Sequence, residues 1–146
     1  MKVRITKAFD FEAAHALDGY DGKCKDIHGH SYHLEMTYLG SPKVNPALSD
    51  CGMVVDFGEI KIIIKKKILP LFDHCLILRK DSRFHQIKPL NERIRLVDYQ
   101  PTCENMLIEI VKILQSCQPE GTTLVKGFLR ETANSYAEWH IEDYSD

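Results

Sequence analysis

From His28 to Leu39 the chain alternates, and His28, His30, Tyr32, Leu34 and Met36 fall on one side of an extended backbone. A strand with two imidazoles and an apolar run on one face needs a sheet and a layer of other elements to cover it. Val3, Ile5 and the stretch Ala8 to Ala14 predict a strand before it, and Gly19 to Lys25 a loop between the two. Asp56 is a good helix N-cap, with Glu59 three residues later as in a capping box. Ile60, Ile63, Ile64 and Ile68 then recur at helical spacing until Pro70 stops the pattern. A second helix is expected from Pro101-Thr102 to about Cys117, with Met106, Leu107, Ile110, Val111 and Leu114 on its apolar face. Two final strands are expected over Thr123 to Glu131 and Tyr136 to Ile141, turning near Ala133-Asn134. The order ββααββ predicts an α+β domain with its helices on one sheet face. Arg93 to Asp98 alternates as a short strand would, and the rest between Leu78 and Gln100 is expected to run over the surface.

The chain has 146 residues, 44% hydrophobic and 27% charged, which predicts a single domain over 1–146 with an ordinary core. A formal charge of −2 argues against a nucleic-acid binder. No apolar run approaches the roughly 20 residues of a membrane span. The N-terminus lacks a continuous apolar h-region, and the five cysteines are an odd count. Reduced thiols in a cytoplasmic protein are therefore expected. Cys51, Cys75, Cys103 and Cys117 read as small buried or half-buried apolar residues. Lys61 to Lys67 reads as a helix with an isoleucine core face and a lysine solvent face.

His28 and His30 present both rings to one side, and His15, at the end of the first strand, comes into register if that strand is an antiparallel neighbour. Three imidazoles with an open fourth position suit Zn2+. Cys24, four residues before His28, is either a fourth ligand closing a structural site or a free thiol beside the metal, and spacing leaves both open. Asp73 and His74 could serve one proton relay, although adjacent residues do not easily join their side-chain ends, and a polar turn is the plainer reading. Glu131 ends a strand beside a turn, where a carboxylate can accept two hydrogen bonds from the amino edge of a guanine-like ring or simply be solvated. His33 points away from the other imidazoles by strand alternation.

The segments FEAAH (11–15), CKDIHGHSYHLE (24–35), GMVVDFGEIK (52–61), FDH (72–74), PTCEN (101–105) and LRET (129–132) together resemble the 6-pyruvoyl-tetrahydropterin synthase and 6-carboxy-tetrahydropterin synthase family, in the family's order and over nearly the whole chain. The resemblance implies a tunnelling fold (T-fold), an antiparallel four-stranded sheet with two helices on one face. It implies homo-oligomers, commonly hexamers built as a dimer of trimers, with active sites at subunit interfaces. It assigns the zinc ligands to His15, His28 and His30, and the catalytic thiol to Cys24, acting as a base. It assigns the acid-base pair to Asp73 and His74, and the pterin-anchoring carboxylate to Glu131, with Thr102 and Glu104 beside the ring.

The spacer Lys25-Asp26-Ile27 is shorter than in the pyruvoyl-forming branch, and HGHSY stands where that branch tends to have HGHNY. Both features resemble the carboxy-forming branch of queuosine (7-deazaguanine) biosynthesis. That branch's reaction converts 7,8-dihydroneopterin triphosphate to 6-carboxy-5,6,7,8-tetrahydropterin, acetaldehyde and triphosphate. The competing expectations are a pyruvoyl-forming synthase and a non-catalytic zinc- or pterin-binding protein of the same fold. Lys23, Lys25, Arg79, Lys80 and Arg83 are candidates to meet the triphosphate. Phe72 replaces a usual Leu, Ile77-Leu78 stands where an Asn is common, and the segment from Arg79 to Tyr99 is longer than the family pattern.

Overall fold

A computed structural model describes residues 1–90 and 93–144. Two long strands, β1 (Val3–His15) and β2 (His28–Gly40), pair antiparallel over their whole length. Strand β5 (Thr122–Thr132) runs antiparallel along the other edge of β2, and β6 (Ser135–His140) folds back on β5. These four make the antiparallel sheet expected. The sheet does not stop there. Strands β3 (Cys75–Arg79) and β4 (Ile94–Val97) add to it in parallel, giving a mixed six-stranded sheet of order β4-β3-β1-β2-β5-β6.

The expected four-stranded sheet is therefore too small. Leu76, Ile77 and Leu78 form a continuous apolar run buried on both faces, the pattern of parallel strands covered from both sides. This is the stretch where the sequence departs from the family pattern. Arg93 to Asp98 does contain a strand, and a 3-10 stretch over Arg83–Leu90 lies between it and β3. Residues 91 and 92 of the expected surface run lie outside the described residues.

Helix α1 spans Phe57–Lys67. Asp56 caps it, but Oδ1 accepts from the Gly58 N–H (2.7 Å), and the Glu59 N–H goes to the Asp56 carbonyl (3.0 Å), so the cap bond lies one residue earlier than a capping box would put it. Ile60, Ile64 and Ile68 are fully buried, and Lys65, Lys66 and Lys67 close the last turn, where cations meet the helix dipole favourably. Pro70 does not end the helical path. It sits in the first turn of α2 (Leu69–Phe72), where its missing N–H leaves no bond unmade. Helix α3 (Cys103–Gln115) starts at Thr102, whose hydroxyl accepts from the Asn105 N–H (3.3 Å). It lies close on β5: a Cβ at Gly127 would meet Val111 Cγ2 at 3.0 Å and Leu107 Cδ1 at 3.1 Å.

The core between helices and sheet is built from Phe11, Tyr32, Leu34, Met36, Ile64 and Met106, among others. Of the four cysteines expected inside, Cys51 is exposed, because it lies in the 41–52 loop beyond the end of β2. Ile64→Ala should cost about 2–5 kcal/mol, whereas Lys65→Ala should stay within about 0.5 kcal/mol; chemical denaturation of both variants measures the contrast.

Candidate active site

The β1–β2 register places His15 opposite His28 and Ala13 opposite His30. Alternation then puts His15, His28 and His30 on the core side of the sheet, with Tyr32 beneath them. One ligand nitrogen from each ring lies within 4.8 Å of the others.

The ring tautomers follow from their partners. His15 Nδ1 lies 2.6 Å from the Pro101 carbonyl, and His28 Nδ1 lies 2.8 Å from the Asp26 carbonyl. A carbonyl only accepts, so both Nδ1 atoms carry the proton. The two Nε2 lone pairs then face each other at 3.0 Å, an arrangement that is repulsive without a cation between them. His30 Nε2 is buried with no hydrogen-bond partner. Burial lowers the pKa of His15 and of His30, against the attraction of Glu131, so both rings are held in the neutral, ligating form. Backbone carbonyls that fix the far nitrogen are the usual outer support of metal-bound histidines. Three neutral imidazole nitrogens with a free side fit a divalent transition-metal ion.

Glu131 ends β5 against this group rather than in solvent. Its Oε1 is 3.5 Å from His15 Nε2 and 3.7 Å from His30 Nε2. The Tyr32 hydroxyl donates to the same oxygen (3.2 Å), and the Tyr32 ring stacks on Phe11 at 5.1 Å between centroids. Burial and the Glu131 charge hold the Tyr32 phenol protonated far beyond its usual range. Cys24 sits half-buried in a 3-10 turn over Lys23–Lys25. It shares a hollow of about 250 Å³ with His15, Thr102, Glu104 and Glu131, but is not one of the three residues whose ligand atoms converge. Thr102 and Glu104 reach this hollow because α3 starts beside it.

Asp73 and His74 are placed differently. His74 has a left-handed backbone (φ 59°), which swings its Nδ1 to within 3.0 Å of Asp73 Oδ1. The neighbours do join their side chains, contrary to the expectation from adjacency, and the unusual backbone is the reason. The Glu12 N–H also donates to Asp73 Oδ1 (3.0 Å). The His74 side chain is 64% exposed. It opens into a hollow of about 400 Å³ lined by Glu12, Gly29, His30 and Ser31 but by neither Cys24 nor Glu131; Glu12 and Ser31 lie on the face of the sheet that alternation turns away from the three rings. Within one chain, then, the dyad does not enter the Cys24 hollow.

His33 does point away from the triad, as expected, and lies between Asp10 (2.6 Å) and Glu35 (3.1 Å). The hydrogen bond to Asp10 is the main cause of its raised pKa. Three contributors escape the sequence reading. The Pro101 and Asp26 carbonyls carry no residue-type signal at all. Tyr32 is visible only as one more member of the His28–His30 face, with nothing to mark its hydroxyl as the partner of Glu131.

Residues 4–142 match the family model described as 6-pyruvoyl tetrahydropterin synthase. The chain belongs to the 6-pyruvoyl tetrahydropterin synthase family. A family relative from Haemophilus influenzae, named 6-carboxy-5,6,7,8-tetrahydropterin synthase, is 34% identical over 141 residues, covering 93% of this chain and 97% of its own length. One of the same name from Rickettsia typhi is 37% identical over 111 residues, 74% of this chain and 77% of that one. Among solved structures, 6-pyruvoyl tetrahydropterin synthase of Caenorhabditis elegans superposes with a TM-score of 0.68 at 25% identity, covering 96% of each chain. A Wolinella succinogenes protein superposes at 0.77 with 19% identity, over 97% of this chain and 99% of its own, which speaks to the fold alone.

His28→Ala and His30→Ala should each lose the bound metal on gel filtration, while Cys24→Ala should keep it; metal content by atomic emission decides. His33 gives a pH test. Its folded-state pKa is raised, so its stabilisation is complete below the unfolded value near 6.5 and disappears as pH rises through the folded value. His33→Gln should therefore lower the melting temperature at roughly pH 5.5, with the loss shrinking as the pH is raised into the alkaline range.

Proposed function

We propose that the chain is a zinc-dependent lyase that converts 7,8-dihydroneopterin triphosphate and one water to 6-carboxy-5,6,7,8-tetrahydropterin, acetaldehyde and triphosphate, within queuosine (7-deazaguanine) biosynthesis. The observation that carries this reading is the convergence of three histidine nitrogens, two with their protons committed to carbonyls, beside a hollow lined by a thiol and a carboxylate. The short spacer between Cys24 and His28, and the names of the Haemophilus and Rickettsia relatives, favour the carboxy-forming branch over the pyruvoyl-forming one.

His15, His28 and His30 would hold Zn2+, which supplies Lewis acidity to a substrate side-chain hydroxyl and its neighbouring C–H bond. Glu131 accepts hydrogen bonds from the amino edge of the pterin, with Tyr32 fixing its orientation, and Thr102 and Glu104 stand beside the ring. The Cys24 thiolate takes the carbon-bound proton. Asp73 orients His74, which passes a proton on the opposite side of the substrate. Because His74 opens away from the Cys24 hollow of its own chain, the dyad serves the site of a second copy. That supports a homo-oligomer, as in the hexameric dimer of trimers implied by the family. The five cysteines are all free thiols, which suits a reducing cytoplasm.

Product analysis tests the reading. Zinc-loaded protein incubated with 7,8-dihydroneopterin triphosphate should yield the carboxy-pterin and acetaldehyde by mass spectrometry. A pyruvoyl product assigns it to the other branch, and no turnover at full zinc occupancy makes it a binding protein. Cys24→Ala should lower kcat about 10²–10⁴-fold with zinc retained. Glu131→Gln should raise KM about tenfold or more, the order expected for a lost charged hydrogen bond. Co-expressed Cys24→Ala and His74→Ala chains should recover activity that neither has alone, because a mixed assembly contains sites with an intact thiol and an intact dyad.

A further inference from the structure

We propose that Arg83 is a positioning residue that sets where the Cys24 thiol stands over the metal site; this rests on Cys24 being the catalytic base. The connection 16–27 between β1 and β2 carries the thiol and is held internally by short-range bonds, among them Leu17 N–H to the Cys24 carbonyl (2.9 Å) and Lys25 N–H to the Gly22 carbonyl (3.1 Å). Those bonds shape the loop without placing it on the rest of the molecule. Ala16, fully buried against Leu76 and Leu78, seats the start of the connection, and Arg83 ties down the part that follows the thiol. Its Nη2 donates to the Lys25 carbonyl (2.7 Å) and to Asp26 Oδ1 (2.9 Å), and its own N–H donates to Asp18 Oδ1 (3.0 Å). Gln100 Nε2 adds a bond to the Asp18 carbonyl (2.8 Å). One residue thus grips both ends of the loop.

The grip falls at a sensitive point. Lys25 and Asp26 follow the thiol directly, and the Asp26 carbonyl is the acceptor that orients the His28 ring. The guanidinium is itself packed in place. The Arg83 guanidinium lies 4.5 Å from the centre of the Phe84 ring, and Phe84 packs on the apolar cluster of Ala16, Leu76 and Leu78. Ser82, just before it, is buried. Asp18 is only 9% exposed; its Oδ1 holds the Arg83 main-chain N–H, and its Oδ2 is buried without a hydrogen-bond partner.

Arg83 is 52% exposed, and an exposed ion pair contributes little to global stability. What it controls is geometry, and a misplacement of about 1 Å in a reacting group can cost about 10²-fold in rate. With its guanidinium on two loop acceptors, Arg83 is better employed as a brace than as a contact for the substrate triphosphate.

Arg83→Ala and Arg83→Lys, both zinc-loaded, test this with two readouts: steady-state kinetics on dihydroneopterin triphosphate, and the iodoacetamide alkylation rate of Cys24 resolved by peptide mass spectrometry. Arg83→Ala should lower kcat about tenfold or more with KM within about twofold and zinc stoichiometry unchanged. Cys24 alkylation should change at least about threefold while Cys75 and Cys103 do not change. Arg83→Lys, which offers one point contact without the planar fork, should fall between wild type and Ala. A rise in KM with kcat preserved would make Arg83 a substrate contact and overturn the proposal. A kcat within about twofold of wild type, or an unchanged Cys24 alkylation rate, would overturn it too. If Cys24→Ala retains full turnover, the catalytic role of the thiol fails first, whatever Arg83 does. If the wild-type protein turns nothing over, the proposed function fails, and the alkylation rates alone decide whether Arg83 places the thiol.

Discussion

The pairing of His15 with His28 across β1 and β2 is the contact on which the rest of the site depends. A slip of one residue would turn every β2 side chain to the other face. The two imidazoles would leave the core side, and Tyr32, Leu34 and Met36 would lose their cover. The register is held by the core it serves, because Leu34, Met36 and Tyr38 are fully buried beneath the helices. Packing energy and site geometry are therefore one constraint. The chain cannot satisfy its hydrophobic face without also bringing its three ligating rings together.

Around that pairing the helices act as fixtures for single atoms. Thr102 starts α3, and the residue just before it presents the carbonyl that holds His15. The end of β5 delivers Glu131 to the rings, and the buried stack of Phe11 and Tyr32 supplies the hydroxyl that fixes it. Burial lowers the pKa of His15 and of His30 and keeps Tyr32 protonated. The two sides of the sheet divide the chemistry: ring nitrogens, thiol and Glu131 on one, the Asp73–His74 pair on the other.

Much of this was legible before any coordinates. The alternation in 28–39 announces both the strand and the shared face of His28 and His30, and the isoleucine spacing announces α1. The alternation of 93–98 announces β4, but β3 and the parallel pairing are harder to read. A three-residue apolar run such as Leu76 to Leu78 reads equally as loop, helix or strand, and only a neighbour buried on both sides decides it. The site residues were visible by type and motif, but not their division between faces. That division hangs on a left-handed backbone at His74, which residue type does not foretell. The role of Arg83 was equally hidden, since one arginine in a polar segment looks like any solvated charge.

The Glu131 carboxylate standing within 4 Å of two ring nitrogens has a consequence for the order of events. Before a cation enters, the hollow offers three ring lone pairs and the carboxylates of Glu131 and Glu104, a field that repels a polyanion. A dication held by the three rings would offset those two charges. Occupancy of the ring site and the approach of an anionic ligand are therefore linked through a shared electrostatic field, and each is expected to favour the other.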